Sequence, residues 1–388
     1  MPRAARANFI RDSLSAWQAA SFGVTARTNA EREKYWGHWH KYATEAGADP
    51  FLHPTHIPPL ERDIIAGAFA ARVRAGEFGH GRQLKVGSVS DALAAISKTI
   101  ELAGQPSPLY RSDQKYHLFL ERVVEGYRRS DPPAIPQLAV PVSVATTAYN
   151  NAIESDDMAR RHTGSLILVA FYFLLRVGEY TQPKYTMRQG KKVPATRTRQ
   201  FTVGNVGFFR NGRIVPRSSS LRTLLACDLV SLKITNQKNG RMGETIAQHA
   251  IDGNACPVKA LARIVHHIKS NGGTDSTLIC SFFDNNKWHS ITSKDIVTAV
   301  RHTAKILNLQ AHGIDPDLIG AHSLRAGGAM ALKLHGFDDT TIMKMGRWTS
   351  LTFLQYIHTQ IAHLSKDISK QMSMELPFVN IAAIENNA

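Results

Sequence analysis

The stretch TGSLILVAFYFLLRVGEY, residues 163–180, decides how this chain is to be read. An unbroken apolar run from Leu166 to Leu175 stops at Arg176. A membrane-spanning helix needs roughly 20 such residues, so this run predicts a helix buried inside a folded domain. An arginine abutting it must either reach out to water or be held by partners. Glu179 stands three residues further on, a spacing at which two side chains on a helix meet.

Outward from this stretch, the composition is that of a folded, strongly basic protein. A chain of 388 residues exceeds one ordinary core, so two domains are expected. Hydrophobic content of 43% and charged content of 20% describe a globular protein. Lys and Arg number 47 against 31 Asp and Glu, a net charge of +16. Such an excess suits a phosphate backbone, although a basic membrane-surface protein would share it. No run is long enough to span a membrane, and MPRAARANFIRD (1–12) lacks the apolar segment of a secretory signal. Cys227, Cys256 and Cys280 are odd in number and form no CxxC, which argues for a reducing compartment and against a disulfide framework or cysteine–zinc site. The histidines of GHWH (37–40), HPTH (53–56) and HH (266–267) have no cysteines or carboxylates at ligand spacing. They read as packing or surface residues, and no metal or other cofactor is expected.

The clearest boundary is SDPPAIPQLAVPVS (130–143). Proline lacks an amide donor and restricts its predecessor, so 131–143 reads as an extended linker. Before it, residues 1–130 form a helical domain with 1–9 expected to be flexible. Helices are predicted over 28–47, 58–78, 88–104 and 112–129, with a Pro start or Gly end marking several of them. After it, residues 144–388 read as an α+β domain, mostly helical, with a C-terminal tail from about 374. Its strands are predicted within 197–235, turning on the Asn-Gly pairs of RNGR (210–213) and KNGR (238–241). Helices are predicted again over 257–271, 293–308, 321–336 and 349–372. The basic residues Lys184, Arg188, Lys191, Lys192, Arg197, Arg199 and Arg241, with further arginines up to Arg222, form either a solvated loop or a surface for phosphates.

Two more places carry chemistry. HSLRAGG (322–328) projects His322 and Arg325 from one helix face, and its glycines permit close backbone approach. MGRWTSLTFLQYIH (345–358) offers Trp348 and Tyr356. Taken alone, Tyr356 is a packing aromatic beside Leu351, Phe353, Leu354 and Ile357.

In this order the three places resemble the tyrosine recombinase family, the phage-integrase-like DNA strand-exchange enzymes, over the whole chain from about residue 10. LLRVGEY (174–180) resembles the first family box, HSLRAGGAMAL (322–332) the second and GRWTSLTFLQYI (346–357) the third. ITNQKNGRMG (234–243) resembles the hairpin that bears the family lysine, here Lys238. More narrowly, GRWTSLTFLQYI, RRSDPPAIPQLAVP and NQKNGR are similar to recombinases of Crypton and DIRS mobile elements.

The resemblance implies a helical core-binding domain followed by an α+β catalytic domain with a small antiparallel sheet. It implies attack by Tyr356 on a DNA phosphodiester, giving a 3′-phosphotyrosyl enzyme and a free 5′-hydroxyl, with no cofactor. A phenolate costs about 4 kcal/mol at neutral pH, so His322 is the candidate base or proton relay. Arg176 and Arg325 would clamp the non-bridging oxygens, Lys238 would protonate the leaving oxygen, and Glu179 would orient. Many members place the third-box His or Trp directly after the Gly. Here Arg347 occupies that position and Trp348 follows, so either Trp348, the favoured choice, or Arg347 contacts the phosphate. The implied partners are double-stranded DNA and, in a tetramer on two duplexes, other copies of the chain. The tail 377–388 either docks on a neighbour or folds on its own domain. The alternatives are a type IB topoisomerase-like relaxing enzyme and a domesticated, catalytically silent DNA-binding protein. The expected compartment is the nucleus if the source is eukaryotic, the favoured case, and otherwise the cytoplasm; secretion is not expected.

Overall fold

The computed structural model describes residues 3–21, 23–79, 81–133, 138–188, 191–194, 198–235 and 243–356. The chain divides into one unit of Met1–Ala134 with Lys184–Arg197, and a second of Ile135–Pro183 with Thr198–Ala388.

The first unit is built on helices whose ends the sequence marks. They are α1 (Arg3–Ser21), α2 (Ala26–Glu45), α3 (Pro59–Ala75), α4 (Val86–Leu102) and α5 (Leu118–Ser130). Pro59 opens α3 and Gly76 closes it in the left-handed conformation, where an added Cβ would meet the Arg82 carbonyl at 2.1 Å. Trp39 and Phe69 meet edge-to-face at 5.3 Å in a core completed by Leu93, Ile96, Leu120 and Val124. Three spans depart from the sequence reading. Helix α1 occupies most of the stretch expected to be flexible, and no helix is predicted there. Helix α5 starts six residues later than predicted, because Tyr110 and Tyr116 form a bridge around a turn with Gln114 at positive φ. The hairpin β1 (Tyr185–Arg188) and β2 (Lys191–Pro194), predicted as part of the second domain, belongs to this unit, with β1 lying against α2.

In the second unit α6 (Val142–Ile153) and α7 (Met158–Tyr172) pack along each other. Contact is close because Gly164 faces Ala152 and the Ala148 carbonyl. Every residue of α7 from His162 to Phe171 is buried, as the apolar run predicts. The helix does not continue to 180 as predicted. Leu174 turns left-handed (φ 48°), and Arg176 then caps a separate short helix, α8 (Val177–Tyr180). Next come β3 (Val206–Arg210), β4 (Arg213–Val215), α9 (Leu221–Leu225), β5 (Leu229–Lys233) and β6 (Thr245–His249). They form an antiparallel sheet of order β4-β3-β5-β6. Asn211 and Gly212, both at positive φ, make the β3–β4 turn that the Asn-Gly pair predicts. Helix α10 (Pro257–Ser270) is followed by an unpredicted hairpin, β7 (Ser281–Asp284) and β8 (Lys287–Ser290), turning on Asn285 and Asn286 at φ 48° and 61°. Helices α11 (Ser293–Ile306), α12 (Ser323–Leu334) and α13 (Asp339–Gly346) complete the unit, with a 3₁₀ turn over Leu351–Tyr356.

The linker is extended at Asp131 and at Pro141, its last two residues open α6, and each end is held by its own unit. Asp131 pairs with Arg74 and accepts from the Val86 N–H at 2.8 Å. Val140 donates to the Ser323 carbonyl at 3.3 Å, and its own carbonyl lies against Gly327. A Cβ on Gly327 would stand 2.1 Å from that oxygen. Gly327→Ala should therefore destabilise the second unit by about 1–3 kcal/mol, read as a lower denaturation midpoint by circular dichroism, whereas Gly178→Ala, whose Cβ would meet nothing within 4 Å, should not.

Candidate functional site

Helices end with carbonyls that have no partner within the helix. In the second unit an arginine satisfies the end of α13 and also holds the Leu174 carbonyl, two residues past the end of α7. Arg325, one turn into α12, donates Nη1 to the Leu174 carbonyl and Nη2 to the Gly346 carbonyl. Arg347 also reaches the Leu174 carbonyl, at 3.2 Å. A cation at a helix C-terminus interacts favourably with the helix dipole as well as with the carbonyl.

Glu179, on the first turn of α8, joins this cluster. It is only 2% exposed, and four donors hold its carboxylate. The Arg176 N–H donates to Oε2 at 2.8 Å, the helix-start reach-back of a capping residue. Arg176 Nη1 donates to Oε1 at 3.3 Å. Arg347 donates Nη1 to Oε1 and Nη2 to Oε2, each at 3.0 Å, a two-pronged pair. Burial alone would raise the pKa of Glu179, but Arg347 and then Arg176 outweigh it and hold the carboxyl below its ordinary value.

Trp348 completes the cluster. Its ring lies over the Arg325 guanidinium, 4.2 Å from centroid to Cζ. The ring can lie there because Gly346 has no side chain; a Cβ would meet the indole at 1.7 Å. Phe353 packs on Trp348 at 5.5 Å and is buried with Leu174, Ala329 and Ile342. Leu351 and Leu354, read as packing residues beside it, are exposed. Of the apolar residues of this turn, Phe353 points inward.

The structure thus brings together Arg176, Glu179, Arg325, Arg347 and Trp348 from three separated segments. Tyr356 ends the 3₁₀ turn that follows Trp348, and that turn packs on α12 and α13. His322 is partly buried in the turn that leads into α12. Lys238, Arg197, Arg241 and the tail from 374 lie outside the described residues, as does the side chain of Tyr356. Of the other basic residues, Lys184 is exposed, and the strand positions Arg188, Lys191 and Lys192 fall in the hairpin of the first unit. Arg199 is exposed and stands two residues before Phe201, whose N–H donates to the Glu179 carbonyl at 2.8 Å. Arg217 is engaged by Asp275 at 2.6 Å, an acid distant in sequence from the basic stretch.

The sequence reading sees Glu179 as a partner of Arg176 but not as the stronger partner of Arg347. That pairing joins residues 168 apart in the chain. The signal available for it is general: a fully buried glutamate requires more countercharge than one partly exposed arginine supplies. No group of three residues able to hold a metal ion occurs among the described residues. No helix among them is long and apolar enough to cross a membrane.

The sequence matches no protein-family model and no curated protein. Solved structures similar to this chain are site-specific recombinases and integrases. A Tn1549 transposon integrase in complex with circular intermediate DNA shares 12% identity at a TM-score of 0.43, over 80% of this chain and 85% of that one. The XerH site-specific recombinase bound to difH substrate shares 14% at 0.45, over 87% and 76%. The XerA recombinase shares 16% at 0.36, over 88% and 99%. These likenesses are remote, and the roles of individual residues rest on the geometry above.

Glu179 titrates below its ordinary value of 4.5 when folded. Its contribution to stability is therefore complete above that value and is lost as pH falls through the folded one. Glu179→Gln should remove this acid limb from a stability–pH curve and, by leaving Arg347 without its carboxylate, lower stability at neutral pH by about 3–5 kcal/mol. Urea denaturation followed across pH 3 to 8, chosen as about this range to bracket the carboxylates, measures both effects.

Proposed function

We propose that the protein is a tyrosine recombinase, which cuts and rejoins DNA strands through a 3′-phosphotyrosyl intermediate on Tyr356. The observation that carries this reading is the convergence of Arg176, Arg325 and Trp348 on the end of α7, directly before the turn bearing Tyr356. Two guanidinium groups beside a single neutralised carboxylate leave a surplus of positive charge, which suits a phosphodiester.

In the proposed step the phenol oxygen of Tyr356 attacks phosphorus and the bond to the 5′-oxygen breaks. His322 takes or relays the phenol proton, and Lys238 gives a proton to the leaving oxygen. Arg176 and Arg325 stabilise charge gained on the non-bridging oxygens, with the Trp348 indole N–H as a further donor. The 5′-hydroxyl of another strand then reverses the step, so the ester energy is conserved. Because exchange joins two duplexes, four copies would assemble on DNA. Action on DNA of a mobile element, in the nucleus of a eukaryotic host, is the setting this reading favours.

The test uses a nicked duplex built from the DNA that flanks the coding region. Wild-type protein should form a covalent adduct that survives denaturing electrophoresis, and Tyr356→Phe should form none. An undiminished adduct with Tyr356→Phe, or none with wild type, overturns the reading. Uncleaved binding should also weaken steeply with salt, by on the order of 10³-fold between 50 and 200 mM if about six phosphates are contacted. Fluorescence anisotropy measures this, and a flat dependence would count against the basic surface as a phosphate-binding one.

A further inference from the structure

The two arginines around Glu179 are held very differently. Arg176 keeps 22% of its side chain exposed and makes one long contact to the carboxylate, at 3.3 Å. Arg347 is 3% exposed as a residue, and both its terminal nitrogens are engaged by Glu179. Both prongs of Arg347 are closed on a carboxylate, which a phosphate would have to displace, whereas Arg325 is held by neutral carbonyls and Arg176 by one long contact.

Arg347 also sits at an unusual backbone position. It ends α13 with φ 59°, in the left-handed region where glycine or asparagine is the common choice. This turn sends the chain from α13 into Trp348, which covers Arg325, and on to Phe353, which is buried against Leu174 and Ala329. The segment leading to Tyr356 is therefore fixed at Arg347 by a buried ion pair and at Phe353 by packing. The other end of that ion pair is α8, which begins at Arg176.

We infer that Arg347 is a positioning residue: its two-pronged pair with Glu179 fastens the segment carrying Tyr356 to the helix start that presents Arg176. It does a second thing at the same time. Once Arg347 neutralises Glu179, the carboxylate has less hold on the Arg176 guanidinium, which can then turn to a phosphate. Arg347 thus acts through its neighbours and does not touch DNA. The inference rests on the strand-exchange reading, because it needs a phosphate beside Arg176 and a reaction at Tyr356.

The experiment compares wild type, Arg347→Met, Arg347→Lys and the double variant Glu179→Gln/Arg347→Met in DNA affinity and in the rate of adduct formation on the nicked duplex. Arg347→Met leaves Glu179 a buried carboxylate held only by the Arg176 N–H and one long guanidinium contact, and can fail through folding alone. The double variant removes both charges of the pair and should recover most of the thermal stability lost by the single one. Expected for the folded double variant is DNA affinity within about threefold of wild type and an adduct rate lowered about 100-fold, the size of effect a small misplacement of reacting groups produces. Arg347→Lys keeps the charge without the fork and should fall between. A double variant that is stable and forms adduct at the wild-type rate overturns the inference and leaves the strand-exchange reading standing. So does a double variant whose affinity drops and whose salt slope falls by about one, the sign of a lost phosphate contact. No adduct from wild type removes both.

Discussion

Glu179 is buried at the start of α8, and an ionised carboxylate in that position must be neutralised and fully hydrogen-bonded for the surrounding fold to exist. Meeting that demand draws in Arg176 from its own helix start and Arg347 from the end of α13. Arg347 brings with it the segment that runs on to Trp348 and the 3₁₀ turn. Arg325 is recruited to the same point by a different need, two carbonyls, one at the end of α13 and one in the turn after α7. One acid and two backbone carbonyls thus assemble a cationic cluster whose members would otherwise repel one another.

Much of the fold is legible from local signals. Pro59 and Gly76 mark the ends of α3, the Asn211–Gly212 pair marks a hairpin, and the length of the apolar run identifies α7 as buried. Where local signals mislead, a backbone conformation set by tertiary contacts is responsible. The apolar run continues past Tyr172, yet the helix stops because Leu174 adopts positive φ. Apolar periodicity continues through α8, but capping by Glu179 starts a new helix at Arg176. The β1–β2 hairpin reads as part of the second domain by sequence position alone, and contact with α2 gives it to the first unit.

The site is legible to a different degree. Arg176, Glu179, His322, Arg325, Trp348 and Tyr356 are singled out by residue type and by the family resemblance that joins them. What spacing does not convey is how their neighbours divide the work. Gly346 reads only as the opening residue of the third box, and its specific duty is to give up space for the Trp348 ring. Gly327 and Gly328 read as permissive, and they are the surfaces by which α12 presses on the linker and on the end of α7. Arg347 reads as the alternative to Trp348 beside the phosphate, and among the described residues it is the most thoroughly buried cation after Arg325.

The acceptor at the centre of this cluster is the carbonyl of Leu174, shared by Arg325 and Arg347. Being main chain, it survives any side-chain replacement at 174, so no substitution there can delete it directly. A scan that truncates side chains one by one would register Leu174 only as a small packing residue beside Phe353. The same property lets the position drift among residues that tolerate positive φ while the two guanidinium groups stay where they are. An anchor of this kind leaves little trace in residue identity, and it is visible only in the shape of the backbone.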